Sequence, residues 1–222
     1  YNEVSEFLRR DDLYSVPHRQ QMLTTMIIRK ILASSTYALL GTLESVKARL
    51  VKMLEEESTR QVSISDWIEA DDMGMLEDDE DLGAENDTDE QQINRAKLQD
   101  EINTIQHFID LAKQISCDSK AKSLLNALEK AFSQLPTLGA NQKALIFTES
   151  TRTQKYLKEF LEQNGYSGKI VLFNGSNSDK ESNAIYNAWA DRNAYSGRIS
   201  GIKAADRRAA LVDYFRDTAE IM

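Results

Sequence analysis

Apolar positions recur at helical spacing along most of the first 135 residues. Val4, Phe7 and Leu8 are followed by Met22, Met26, Ile27, Ile31 and Leu32, with Pro17 placed as a first-turn residue and Ser34-Ser35 as a break. A third helix, over about Thr36 to Glu57, carries Leu39, Leu40, Leu43, Val46, Leu50, Met53 and Leu54, a stripe wide enough to need a partner. Leu98, Ile102, Ile105, Phe108, Ile109 and Ala112 mark a long amphipathic helix, with Ile93 and Ile115 extending its stripe. Leu124, Leu125, Leu128, Ala131 and Phe132 mark the next, and the two are expected to pair as an antiparallel hairpin closed by Pro136 and Gly139.

The pattern then changes. Ala144 to Phe147 is apolar at every position, as in a parallel strand covered on both faces, and it breaks into Thr148, Ser150, Thr151 and Arg152 at the start of a helix reaching Gln163. Asn164-Gly165 closes that helix, and Lys169 to Phe173 forms a second apolar run ending in Asn174-Gly175-Ser176. This strand, helix, strand order suits a right-handed crossover, which sets both loops at one sheet edge. Amides at a helix start are orphan donors in a partly positive field, so a phosphate is one guest for that edge; simple N-capping by Ser150 or Thr151 is the other reading. Further helices are expected from near Ser178-Asp179, with Ile185, Tyr186 and Trp189, and from about Ala204, with Ala209, Leu211, Val212 and Phe215.

Composition narrows the class. The 222 residues are 41% hydrophobic and 28% charged, enough for a real core and one or two domains. One cysteine, Cys117, excludes an internal disulfide, and without a secretory leader or a long apolar run the expectation is a cytoplasmic chain with no membrane partner. Cys117 reads as an inert small residue. His18 and His107 lie far apart with no second cysteine, which argues against zinc, and no nucleophile signature accompanies Cys117 or the serines. The net charge of −9 is local: Asp66 to Glu90 holds thirteen acidic residues and no Lys or Arg, leaving 27 basic against 23 acidic residues, or +4, elsewhere. That segment reads as a solvated linker or as an acidic strip competing with nucleic acid, and Trp67 and Ile68 are placed to anchor it. Asp79, Asp81 and Gly83 do not meet the calcium-loop order.

The order Lys-Ala-Leu-Ile-Phe-Thr-Glu-Ser, amphipathic helix, Val-Leu-Phe-Asn-Gly-Ser, variable helix, then Asp206-Arg207-Arg208 through Phe215 resembles the second RecA-like domain of superfamily 2 helicases (DEAD/DEAH-type), nearest the Swi/Snf and RapA-like branch. Arg208 and Phe215 keep that family's seven-residue Arg to Phe spacing. The resemblance covers about residues 140 to 222, and residues 1 to 60 resemble the helical segment joining the two motor domains. It implies an α/β, helix-rich chain: a helical bundle or hairpin followed by an incomplete RecA-like parallel α/β sheet. The expected divisions are 1–60 helical, 61–91 an acidic linker, 92–138 a helical hairpin and 139–222 the partial helicase domain.

The same resemblance implies that the chain is part of an ATP-dependent helicase or translocase. Backbone contacts are expected from Thr148, Ser150, Thr151, Arg152, Asn174, Gly175 and Ser176, supported by Arg207 and Arg208. Nucleic acid, DNA ahead of RNA, and a first RecA-like domain in cis are the implied partners. Nucleotide held between the two motor domains would close their cleft and shift one grip against the other. The chain has no Gly-x-x-x-x-Gly-Lys-[Ser/Thr] loop, no Asp-Glu-x-His box and no arginine-rich closing motif, so ATP and magnesium are expected for the full-length parent, and no catalytic or metal residue is assigned here. The chain thus reads as a piece from the middle of a motor, inactive alone. A helical protein-interaction module with an acidic linker is the alternative. An unrelated nucleotide-binding α/β enzyme is disfavoured, because Thr-Glu-Ser stands where Gly-x-Gly-x-x-Gly would follow the first strand.

Overall fold

The computed structural model describes residues 2–16, 21–56, 94–115 and 118–222. The acidic segment, Trp67, Ile68, Ile93, Pro17, His18 and Cys117 all lie outside the described residues. The chain divides into two compact units: Tyr1–Asp118 with Glu149–Thr153, and Ser119–Thr148 with Gln154–Met222.

The first unit is helical. It contains α1 (Asn2–Phe7), α2 (Gln21–Ser34), α3 (Thr36–Glu56) and α4 (Arg95–Lys113). Ser35 separates α2 from α3 and caps the latter, its hydroxyl accepting from the Ala38 N–H at 3.0 Å. Asn94 caps α4 by accepting from the Ala96 and Lys97 amides at 3.1 and 3.2 Å. Along α3 the buried positions Leu39, Leu43, Val46, Leu50 and Met53 alternate spacings of four and three, as do Leu98, Ile102, Ile105 and Ile109 on α4. Such seams interlock along helices that lie nearly in line. The direction is antiparallel, because Arg95 donates to the Leu54 carbonyl at one end and Lys113 pairs with Glu44 at 2.9 Å at the other. Phe7 closes the core edge-on against Phe108, with ring centroids 5.5 Å apart.

The second unit contains α5 (Ser119–Gln134), a 3₁₀ turn (Leu135–Leu138), most of α6 (Thr151–Leu161), α7 (Lys180–Asn193) and α8 (Lys203–Asp217). α6 unwinds through a wide turn, Glu162–Tyr166, where Gly165 takes φ 98°, a left-handed value that glycine adopts without strain. Between the helices run extended segments. Ile170, Ile221, Ala144, Ile146 and Leu172 pack toward Leu128, Phe132 and Leu161, whereas Val171, Ala219 and Met222 pack toward Trp189, Ile185 and Leu211. Neighbours in sequence thus face opposite layers, as the alternation of extended backbone requires.

The expected incomplete RecA-like parallel α/β sheet is not formed. Among the described residues there is no strand, only two isolated parallel bridges, Ala144 to Ile221 and Ile170 to Ile221. Both flanking runs meet one short segment, Glu220 to Met222, which accepts from the Ala144 amide at 2.9 Å, the Ile146 amide at 2.8 Å and the Val171 amide at 2.9 Å. A ladder needs several successive pairs, and this three-residue segment supplies one to each side. The run Ala144 to Phe147 is also not covered on both faces: Leu145 and Phe147 are 57% and 89% exposed. Unbroken apolarity suggested two covered faces; only the Ala144 and Ile146 side is packed in the core.

Glu101 is the principal buried charge of the first unit. It lies on α4 at 4% exposure, and its two oxygens accept from the Tyr14 and Ser15 amides at 2.8 Å each. Burial raises its pKa, the hydrogen bonds opposing that shift only in part. Replacing Glu101 with Ala leaves the buried Ser15 N–H and the half-buried Tyr14 N–H without this acceptor and should cost about 1–3 kcal/mol in chemical denaturation. A raised folded-state pKa means that the native state holds more protons than the unfolded chain. The wild-type margin over Glu101→Ala should therefore be largest below the ordinary glutamate pKa and narrow as pH rises through the raised folded-state value.

Candidate functional site

Ser150 precedes α6, and its hydroxyl accepts from the Arg152 amide at 3.2 Å, the geometry of an N-cap. Ser150, Thr151 and Thr153 are buried, and Thr148 is half-buried. The Thr153 and Ser35 hydroxyls are hydrogen-bonded at 2.9 Å. Arg152 lies against α3, donating from Nη1 to Thr42 Oγ1 and from Nη2 to Ser45 Oγ at 3.2 Å. Those hydroxyls spend their own hydrogens on the Ala38 and Gly41 carbonyls at 2.9 Å, so their lone pairs face the guanidinium. Gly41 lies against this side chain, where a Cβ would stand 3.4 Å from Arg152 Cδ and Nε, within ordinary contact. Ser150, Thr151 and Arg152 thus belong to the first unit, and Thr148, Asn174 to Ser176, Arg207 and Arg208 to the second.

The loop from Phe173 to Asp179 is held almost entirely by side chains. Asn174 and Asn177 bond reciprocally, each amide N–H donating to the other's Oδ1 at 2.7 Å, and Asn177 Nδ2 donates to the Asn174 carbonyl at 2.7 Å. Asn177 is buried with φ 46°, a left-handed value that asparagine tolerates better than most residues. Gln154 donates to the Phe173 carbonyl at 2.9 Å, and Asn183 to the Ser178 and Asp179 carbonyls at 2.8 and 2.9 Å. Arg207 donates from Nη1 to the Ser176 carbonyl at 3.2 Å and from Nη2 to Asn183 Oδ1 at 2.9 Å. Gly175 and Ser176 remain exposed, and their N–H groups have no acceptor among the described residues. Asp179 caps α7 through the Ser182 amide at 2.9 Å, and its pKa is lowered: hydrogen bonds to Ser182 outweigh the larger single effect, burial, which raises it.

The structure brings predicted residues Asn174, Gly175, Ser176 and Arg207 into one cluster and leaves Arg208 exposed on α8. Arg207 forms no ion pair with a carboxylate among the described residues, so its charge remains uncompensated there. Sequence reasoning missed Gln154, Asn177 and Asn183. Asn177 offered one signal, its place in an Asn-Gly-Ser-Asn turn, while the roles of the other two depend on tertiary approach. Among the described residues no group of three or more His, Cys, Asp or Glu is placed to hold a metal ion, and no helix is long and apolar enough to cross a membrane.

A second cluster was also missed. Asp213 on α8 is buried and accepts from Trp189 Nε1 at 2.8 Å, from Arg198 at 2.7 Å and from Arg216 at 3.0 Å. Arg198 also stacks over the Trp189 ring at 5.7 Å. Asp206 secures the connection between α7 and α8 by accepting from the Ser200 amide and hydroxyl at 2.8 and 2.7 Å and from the Gly201 amide at 3.2 Å. Comparison of the chain with protein-family models, with curated proteins and with solved structures finds no match in any of the three.

The Trp189 hydrogen bond, followed by Arg198 and Arg216, holds the Asp213 carboxyl below its ordinary pKa. A depressed folded-state pKa contributes stability above the unfolded value, and that stability is lost as pH falls through the folded one. Asp213→Ala should destabilise the chain by about 1–3 kcal/mol near neutral pH by leaving the buried indole N–H without its acceptor, while the exposed Arg198 and Arg216 turn to solvent and Asp217. The difference from wild type should shrink in thermal melts on acidification below the ordinary aspartate range.

Proposed function

We propose that this chain is part of an ATP-dependent nucleic-acid helicase or translocase and that it contributes a grip on the nucleic-acid backbone. The carrying observation is the Asn174 to Ser176 loop. The Asn174 and Ser176 carbonyls are taken by side chains, while Gly175 and Ser176 present exposed amides with no acceptor among the described residues, beside an Arg207 charge that no carboxylate among those residues offsets. Backbone N–H groups and hydroxyls are what phosphate oxygens accept from, a nearby positive charge favours them, and contacts of this kind bind without regard to sequence. The order of motifs from Lys143 to Phe215 supports the same reading, with DNA ahead of RNA. A cytoplasmic compartment is part of the proposal, supported by the single cysteine. The chain has no phosphate-cradling Walker loop, so ATP and magnesium are proposed for the full-length parent protein.

A second reading, a helical protein-interaction module, is favoured by one observation. Ser150 and Thr151 are buried, with Ser150 acting as an N-cap, and Arg152 is bound to α3, which commits three of the expected contact residues to the protein's own structure.

Fluorescence anisotropy with labelled single- and double-stranded DNA and matched RNA, across a salt series, separates the two. Backbone grip predicts affinity that falls steeply with salt, and a loss of about tenfold or more in Ser176→Asp, which sets a carboxylate at an exposed position where phosphate would sit. Deleting residues 61–91 should tighten binding if the acidic strip competes. Binding to no nucleic acid at low salt, or a Ser176→Asp variant that binds as wild type does, would overturn the grip assigned to this loop.

A further inference from the structure

Arg207 and Arg208 are adjacent on α8 and differ in environment: Arg208 is exposed, whereas Arg207 is partly buried with a fully buried Nε. The Arg207 fork spans two acceptors, the Ser176 carbonyl in the loop and Asn183 Oδ1 on α7. Asn183 passes the constraint on, because its Nδ2 holds the Ser178 and Asp179 carbonyls. Three elements are thus tied through one guanidinium: α8, α7 and the loop between Phe173 and Asp179. Both acceptors are neutral, so the tie forms without spending the positive charge on a carboxylate.

From this geometry we infer that Arg207 is a positioning residue for the Asn174 to Ser178 loop, fixing the backbone that presents Gly175 and Ser176, rather than a direct phosphate contact. What the loop binds rests on the function proposed above; the hold itself rests on the hydrogen bonds. A rigid, planar fork is required. Lysine keeps the charge and has comparable reach, but a single ammonium cannot reproduce the paired geometry that engages a carbonyl and an amide oxygen together. Holding the loop before it meets an anion lowers the ordering cost of binding.

The test is Arg207→Lys, read in two ways on the same chain. Amide hydrogen exchange at Asn174 and Asn177, whose N–H groups bond across the loop, should accelerate by about tenfold or more once the tie is lost. Affinity for a labelled oligothymidylate should fall by a similar factor with an unchanged salt slope, because no phosphate contact has been removed. Asn183→Ala, which removes the second anchor, should accelerate exchange at the same amides. Unchanged Trp189 emission, recorded in a Trp67→Phe background, shows in each variant that the unit remains folded. Wild-type exchange in Arg207→Lys would overturn the inference, as would a salt slope reduced by about one in Arg207→Ala with loop exchange unchanged, the mark of a direct phosphate contact. Faster exchange in the variant, alongside a wild type that binds no oligonucleotide, would uphold the positioning role and defeat the backbone-grip reading alone.

Discussion

Backbone N–H and C=O groups outside regular helices must still find partners when they leave water, and here polar side chains supply many of them. Glu101 takes the amides of Tyr14 and Ser15; Asp206 takes those of Ser200 and Gly201. Lys143 donates to the Phe215 carbonyl at 2.7 Å and to the Ala219 carbonyl, where α8 ends, a favourable place for a cation because helix C-terminal carbonyls are unpaired and partly negative. The Phe173 to Asp179 loop is the fullest case, with Gln154, Asn177, Asn183 and Arg207 each engaging its carbonyls. With little strand pairing to fix the extended segments, these bonds set the conformation of the connections.

The helices were legible because their stripes obey a local rule. Leu39, Leu43, Val46, Leu50 and Met53 point one way on any α-helix, and Ser35, Asp179 and Gly165 carry local end signals that need no tertiary information. The sheet was misread for a different reason. An unbroken apolar run states that side chains prefer burial but not how many partners lie beside the backbone. The exposed side chains of Leu145 and Phe147 show that burial was met on one face only. The loop residues Asn174 to Ser176 could be picked from their turn composition, but the environment of Arg207 could not. Its acceptor Ser176 lies 31 residues away in sequence, and the neighbouring Arg208 looks equivalent on paper. Glu101 was hidden in the same way, since the amides it serves lie 86 and 87 residues away.

Chemically, the two groups of candidate residues have different standing. At the start of α6 the hydroxyls and Arg152 satisfy each other and α3, so their donors already have work within the protein. At the Asn174 to Ser176 loop the Asn174 and Ser176 carbonyls are taken by side chains while the exposed Gly175 and Ser176 amides have no acceptor among the described residues, an imbalance that favours an anionic guest. Asp179 limits how far that imbalance extends, because its carboxylate caps α7 and adds negative charge close by. The exposed amides of Gly175 and Ser176, with Arg207 behind them, are therefore the part of the loop best suited to phosphate oxygens.

The most direct measurement is a residue-resolved NMR titration of the chain with a short oligothymidylate, with inorganic phosphate in parallel. If the loop is the grip, the Gly175 and Ser176 amides shift first and furthest with the oligonucleotide, and the shifts reverse on adding salt. Oligonucleotide-induced shifts confined to other surfaces, with Gly175 and Ser176 unmoved, would contradict the assignment of this loop as a nucleic-acid site.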